Sequence, residues 1–97
     1  MRFEWDEAKR LVNLEKHGVD FADAPEIFQG QMVIALDRRL DYGEDRFIGF
    51  GALKGRVMAI VFSRRRPDLV RIISLRKANP REQRRYEQAV RDRLGQN

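Results

Sequence analysis

The chain has 97 residues, 42% of them hydrophobic and 36% charged, with 20 Lys and Arg against 15 Asp and Glu and a formal net charge of +5. This length predicts one domain, residues 1–97, that exposes roughly 5,800 Å² of surface when folded. The absence of cysteine excludes disulfides and thiolate metal sites, and the longest apolar run, residues 57–62, is too short to cross a bilayer, so we expect a cytoplasmic domain without a membrane partner.

Two helices are predicted in the first third of the chain. The first covers about Asp6 to Lys16, with Asp6 as its N-cap and Gly18 in the left-handed position that follows a helix end. Its apolar residues fall on one stripe at helical spacing, as in an amphipathic helix: Trp5, Ala8, Leu11, Val12 and Leu14. A second short helix is predicted from Phe21 to Phe28, capped by Asp20.

Four strands are predicted next, as an antiparallel meander. In order they are Met32–Leu36, Arg46–Leu53, Arg56–Ser63 and Leu69–Arg76. Gly49 and Gly51 lie on one face of the second strand and leave space there for a helix or a ligand. The third strand is apolar on both faces, which is typical of a central strand. A basic turn, Arg64–Asp68, is predicted to join the last two strands.

The chain ends with a predicted helix from Asn79 to about Leu94. Asn79 is a preferred N-cap, and Glu82 stands where a capping box requires it. The two faces of this helix differ: Tyr86, Ala89, Val90 and Leu94 lie on one side, and Arg81, Arg84, Arg85 and Arg91 on the other. Two helices, a meander and a basic amphipathic helix predict an α+β domain of two layers.

Most of the positive charge belongs to the last third of the chain. Residues 63–97 hold eleven Lys and Arg against four Asp and Glu, and ten of the eleven are arginine. Because the planar guanidinium group binds phosphate oxygens in pairs, this composition favours a polyanionic partner.

The chain has few groups that support catalysis. A single histidine excludes a metal site made of imidazoles. One loop is rich in acidic residues (Asp37, Asp41, Glu44 and Asp45), but arginines are interleaved with them, so a solvated hairpin loop is the better interpretation than a divalent-ion site. One imidazole with many arginines suits metal-free RNA cleavage by the 2′-hydroxyl, and plain nucleic-acid binding stays open as the alternative.

Four segments resemble the BrnT toxin family: residues 3–9 (FEWDEAK), 13–21 (NLEKHGVDF), 71–78 (RIISLRKA) and 81–87 (REQRRYE). They occur in the family's order and cover nearly the whole chain. The resemblance implies a RelE-like ribonuclease toxin of a type II toxin–antitoxin pair that inhibits translation and needs no cofactor. Its implied partners are RNA and a ribbon-helix-helix antitoxin of the BrnA kind. The resemblance implies that the toxin reaches operator DNA only through this antitoxin.

The candidate catalytic residues are His17, Arg64, Arg65 and Arg76, and the candidate substrate-binding residues are Lys16, Lys77, Arg84 and Trp5. His17 is expected at the end of the first helix, where the helix dipole favours a protonated imidazole that acts as a general acid or binds phosphate. Arg76 is expected to stabilise the pentavalent phosphate, and the resemblance implies an important arginine near positions 64 and 65. A nuclease site of this composition requires the guanidinium groups to converge in the fold.

Each candidate also has a purely structural alternative. His17 would then be a helix-terminal residue, Arg76 a salt-bridge partner, and Trp5 a hydrophobic staple over the first helix. For the whole chain the alternatives are a non-catalytic module that binds nucleic acid or a partner, or a gyrase-directed inhibitor on the same scaffold.

Overall fold

A mixed five-stranded sheet runs through the protein. The computed structural model describes residues 1–39, 41 and 43–95. In chain order the elements are β1 (Arg2–Glu4), α1 (Glu7–His17), a 3₁₀ turn (Phe21–Asp23), α2 (Ala24–Gln29), β2 (Val33–Leu36), β3 (Phe47–Leu53), β4 (Arg56–Arg66), β5 (Leu69–Lys77) and α3 (Pro80–Leu94). The spatial order of the strands is β1-β5-β4-β3-β2. The predicted α+β class is confirmed.

Strand β1 was not predicted, and it makes the sheet mixed instead of a simple meander. It pairs in parallel with the start of β5, Arg2 opposite Leu69 and Glu4 opposite Arg71. Three residues are too few to show an alternating pattern, and their partners lie far along the chain. Neither an alternating pattern nor a pairing partner nearby in the chain therefore marks β1 in the sequence.

The ends of α1 match the prediction, but its apolar stripe does not face the core. The Asp6 carboxylate accepts a hydrogen bond from the Lys9 N–H at 3.2 Å, and Gly18 ends the helix with φ +69°. Leu11 and Val12, however, are 53% and 64% exposed. The apolar stripe of α1 is therefore largely exposed, and the one buried residue of the helix is polar.

That residue is Asn13, which attaches α1 to the edge of β5. Its side-chain amide donates to the carbonyls of Leu75, at 2.7 Å, and Val19, at 3.1 Å, and its carbonyl accepts from the Leu75 N–H at 3.2 Å. Strand β1 pairs only as far as Arg71, so this later part of the edge has no strand beside it. Asn13 supplies the hydrogen bonds that a strand would make there.

The core lies between the sheet and the segment from the 3₁₀ turn to α2. Its fully buried side chains are Phe21, Ile27, Ile60, Phe62, Val70, Ile72 and Leu75. Gly49 and Gly51 face this side, and a Cβ on Gly51 would lie 2.8 Å from a methyl carbon of Ile27. The predicted close approach of a helix is confirmed at Gly51, whereas the atom nearest a Cβ on Gly49 belongs to Met32, which precedes β2. The predicted helix Phe21–Phe28 is divided into the 3₁₀ turn and α2.

Strand β4 is longer than predicted, which removes most of the predicted basic turn. Pairing with β5 continues through Arg64 opposite Val70 and Arg66 opposite Leu69. The turn is reduced to Pro67 and Asp68, so the prediction of a turn over Arg64–Asp68 was wrong.

Helix α3 begins as predicted and packs against β2 and β3. Asn79 and Glu82 form a capping box. The Tyr86 hydroxyl donates to the Gln31 carbonyl at 2.9 Å, and the Arg93 guanidinium donates to the Met32 carbonyl at 2.7 Å. No α3 residue is fully buried, because the helix covers only the margin of the sheet. Within the described ranges, no helix is long and apolar enough to cross a membrane.

Candidate active site

The back face of the sheet is the side opposite the core, and it presents Arg76 to solvent. Met58 and Ile60 of β4 point into the core, so Ala59 and Val61 point backwards. Their partners on β5, Arg76 and Ser74, lie on the same face. The Arg76 side chain is about one-third exposed.

A carboxylate of α3 fixes the position of Arg76. The two terminal nitrogens of the Arg76 guanidinium donate to Oε1 and Oε2 of Glu82 at 2.8 and 2.9 Å. Glu82 is itself held by the capping box, through the Asn79 N–H at 2.9 Å. The Arg76 hydrogen bonds hold the pKa of Glu82 below its ordinary value, and the same contact raises the pKa of Arg76. Glu82 therefore acts as a positioning carboxylate and is a poor proton acceptor.

His17, the last residue of α1, is half-buried. Burial, followed by the charges of Lys16 and Arg76, lowers the pKa of His17 below its ordinary value of 6.5. These effects oppose the protonated imidazole that the helix dipole alone would favour. A neutral imidazole is suited to accept a proton.

A groove of about 330 Å³ between α1 and β5 lies beside His17. It has an apolar part and a cationic part, and its lining residues are Ala8, Lys9, Val12, Asn13, Lys16, His17, Ile73 and Ser74. Ser74 lies in this groove and shares the back face with Arg76. The structure thus brings His17, Lys16 and Arg76 into one neighbourhood.

Arg64 and Arg65 are not part of this neighbourhood, so the expected convergence of all the candidate arginines was wrong. Arg64 lies five residues beyond Ala59, the residue of β4 that pairs with Arg76. This spacing corresponds to roughly 17 Å along the strand. Arg65 forms an ion pair with Glu44 at 3.1 Å. In an antiparallel hairpin the end of one strand lies opposite the start of the next, which places the ends of β4 and β5 at opposite ends of the sheet.

Comparison with known proteins decides the family. Residues 5–82 match the profile of the family described as "Ribonuclease toxin, BrnT, of type II toxin-antitoxin system". This chain belongs to the BrnT family. The 1.1 Å crystal structure of the Brucella abortus ribonuclease toxin BrnT is 32% identical, with a TM-score of 0.64, over 81% of this chain and 97% of that chain. No curated protein matches the chain.

The part that matches the BrnT profile contains the whole neighbourhood described above. His17, Arg76 and Glu82 all fall within residues 5–82, and Glu82 is the last of them. Most of α3 lies beyond the matched residues.

Three predicted substrate-binding residues lie away from the groove. Trp5 packs edge-to-face on Phe21 with the ring centres 6.4 Å apart, so its ring belongs to the packing around the core. Lys77 follows Arg76 directly, and strand alternation directs it to the other face. Arg84 is exposed on α3, and its position two residues after Glu82 places it on a different side of the helix.

The acidic loop is organised by arginines. Asp37 is buried, 7% exposed, and accepts two hydrogen bonds from the Arg39 side chain at 2.8 Å. The expectation of a wholly solvated loop was therefore wrong for Asp37, whereas Glu44 is neutralised by arginine as predicted. Leu40 and Tyr42 lie outside the described residues. Among the described residues, no group of three His, Asp or Glu could hold a metal ion.

The contributions of two residues, Glu82 and Asn13, were not predicted. The role of Glu82 in positioning Arg76 was missed because the capping box accounts for a glutamate at that place in the chain. The role of Asn13 was missed because it follows two apolar residues that dominate the helical pattern. A polar residue in the middle of a helix was the available signal.

Proposed function

We propose that this BrnT-family chain is an endoribonuclease that cleaves RNA by attack of the 2′-hydroxyl, without a metal, at the site formed by His17, Arg76 and Lys16. The observation that carries the proposal is an imidazole that lines a groove, with a nearby arginine held by a carboxylate. One group can accept a proton, and the other can stabilise charge on phosphate.

The proposed reaction assigns each proton. His17 accepts the proton of the 2′-hydroxyl, and the oxygen attacks the adjacent phosphorus. The bond from phosphorus to the 5′-oxygen breaks, and this oxygen takes a proton from water. The hydroxide that remains takes the proton held by His17, which restores water and the neutral imidazole. The products are a 2′,3′-cyclic phosphate and a 5′-hydroxyl. Arg76 and Lys16 offset the negative charge that builds up on the phosphorane.

The groove between α1 and β5 is suited to hold a nucleotide beside the scissile phosphate. Its apolar part, which includes Val12 and Ile73, can contact a base or a ribose, and Lys9 and Lys16 lie where a backbone phosphate would run. The net charge of +5 favours the approach of RNA.

The family is defined by a toxin–antitoxin pair, so an antitoxin is the protein partner. We propose that this antitoxin carries a ribbon-helix-helix DNA-binding domain, that the toxin reaches operator DNA only through it, and that the toxin acts in the cytoplasm to inhibit translation.

RNA cleavage by the purified protein in the presence of EDTA tests the proposal. We expect the wild type to produce cyclic-phosphate ends, and His17→Ala and Arg76→Ala to lower the rate on the order of 100-fold or more. Arg65→Gln, at the far end of β4, is the matched arginine control and should cleave at the wild-type rate. Each variant must retain antitoxin binding and its far-UV circular dichroism.

Two outcomes would contradict this function. If cleavage requires an added divalent ion, the metal-free mechanism is wrong. If expression leaves growth and RNA intact, or stops growth with intact RNA and a DNA-damage response, the nuclease assignment is wrong for this chain, and the latter result indicates a gyrase-directed inhibitor.

A further inference from the structure

The free edge of the sheet at β2 has the features of a strand-binding site. Asp37 N–H donates to the Arg46 carbonyl at 2.7 Å, so in this antiparallel pair Val33, Ala35 and Asp37 direct their backbone groups towards β3. The backbone N–H and C=O groups of Ile34 and Leu36 therefore point outwards, where no strand pairs with them.

The rest of the chain covers the start of this edge and leaves its middle open. The next outward carbonyl upstream, that of Met32, accepts a hydrogen bond from Arg93 of α3. Beyond it, Ile34 and Leu36 are 44% and 38% exposed. Sheet edges in folded proteins are protected by charge, proline, bulges or a covering element. Residues 33–36, Val-Ile-Ala-Leu, contain no charge or proline, and no element among the described residues pairs with their outer edge.

An apolar groove follows the edge on the core side of the sheet. It has a volume of about 250 Å³ and is lined by Ile34, Phe47, Phe62 and Arg64. The rings of Phe47 and Phe62 stack with their centres 5.5 Å apart. A strand added beside β2 would direct every second side chain towards this side, next to the groove.

Arg64 makes the groove favourable for a negatively charged group. Its side chain is exposed, and in the part of the chain that the structure describes it pairs with no carboxylate. A carboxylate beside the apolar side chains of an added strand would complete this contact. A second copy of this chain is a less favourable occupant of the edge, because two copies that each carry a net charge of +5 repel one another.

We infer that the β2 edge binds an extended, acidic segment of the antitoxin as a sixth strand, with the backbone of Ile34 and Leu36 as hydrogen-bonding partners and Arg64 as the anchor for a carboxylate. The inference rests on the antitoxin partner that the BrnT family implies. It also gives Arg64 a role at the opposite edge of the sheet from His17.

Titration of purified full-length antitoxin into purified toxin variants tests the inference. Leu36→Pro removes an outward N–H and leaves the β2–β3 hydrogen bonds intact, and Ile34→Lys places a charge in the groove. We expect each to weaken binding at least about tenfold. Arg64→Glu should weaken binding similarly, because it opposes the proposed carboxylate.

Val12→Lys is the matched control, because Val12 is an exposed apolar residue on the other edge of the protein. It should bind the antitoxin as the wild type does. The inference is overturned if the β2 variants bind within about threefold of the wild type, if Val12→Lys loses as much affinity as they do, or if the toxin alone is a dimer that Leu36→Pro dissociates.

This measurement is independent of the nuclease proposal, because it contains no RNA. The β2 variants should cleave RNA at the wild-type rate, since three strand spacings separate β2 from β5. A toxin that binds its antitoxin through this edge but never cuts RNA would contradict the proposed function alone. Circular dichroism of each variant separates lost binding from lost folding.

Discussion

His17 is the only imidazole in the chain, so its titration can be followed by NMR without overlap. We expect a midpoint below 6.5, because burial and the charges of Lys16 and Arg76 all oppose protonation. Lys16→Gln removes one of these charges and should raise the midpoint towards 6.5. Arg2→Gln, a change of the same charge at β1, should leave it unchanged. A wild-type midpoint above 6.5 would contradict a neutral proton acceptor.

The same shift predicts how stability depends on pH. Since the pKa of His17 is lower in the folded than in the unfolded chain, the unfolded chain binds more protons between those two values. The free energy of unfolding should therefore decrease as the pH falls from 6.5 through the folded pKa, and His17→Gln should remove this slope. Glu82 and Asp20, whose pKa values are also lowered, change stability in the same direction, but below about pH 4.5. Urea unfolding at several pH values separates the two windows.

Asn13 is the residue whose loss should destabilise the fold most specifically. Asn13→Ala leaves the N–H and C=O of Leu75 without partners beneath α1, and buried groups of this kind cost roughly 1–3 kcal/mol each. We expect the free energy of unfolding to decrease by about 2–4 kcal/mol in urea titrations. Val12→Ala, one residue away but exposed, should change it by no more than about 0.5 kcal/mol. Equal effects of the two variants would show that the Asn13 hydrogen bonds do not hold α1.

Sequence reasoning succeeded for elements whose signals are local. Capping residues located both ends of α1 and the start of α3, because a cap and the helix it ends are neighbours in the chain. Alternating apolar residues and glycines located β3 and β4 in the same way. It failed for β1, and it failed to determine which face of α1 is buried. Both depend on β5, which lies far away in sequence.

Only part of the candidate site was predicted, because the missing information was again not local in the sequence. His17 and Arg76 were identified as chemical groups from the sequence, and the structure brings them into one neighbourhood. Arg64 was grouped with them because the family resemblance implied an important arginine near positions 64 and 65. Only the direction of the strands shows that the ends of β4 and β5 are opposite, and a hairpin that extends to Pro67 increases the separation.

The contact between β3 and α2 predicts an order of stability for two glycine substitutions. A Cβ on Gly51 would lie 2.8 Å from a methyl carbon of Ile27, which is fully buried and cannot move aside. At Gly49 the nearest atom, at the same distance, is the terminal methyl of the half-buried, flexible Met32. Gly51→Ala should therefore destabilise by about 1–3 kcal/mol and by more than Gly49→Ala. Thermal unfolding of both variants checks the order, and the reverse order would contradict this packing.

The molecule as a whole has more surface than its mass predicts. It exposes 6548 Å², where scaling gives roughly 5,800 Å², and its principal extents are 42 × 27 × 26 Å. The open edge of β2 is the kind of surface that a partner covers.

The charge distribution of the whole chain predicts salt-dependent RNA binding. Arginines project from the exposed side of α3, where they can contact phosphates without taking part in cleavage. Arg84→Gln and Arg85→Gln should each weaken binding at low salt and reduce the slope of log K against log salt by about 0.7, the value for one phosphate of a single strand. Filter binding with the cleavage-deficient His17→Ala chain measures this. Unchanged slopes would remove α3 from the RNA interface.

The proposed site draws its groups from two distant parts of the chain. His17 leaves the ribosome well before Arg76 and the Glu82 that orients it. Strand β5 must also be present before β1 and Asn13 have anything to pair with. A nascent toxin that has not yet reached β5 therefore holds His17 and Lys16 without the arginine proposed to stabilise the phosphorane. The proposed site is complete only once β5 and the start of α3 have been synthesised and have folded onto the earlier part of the chain.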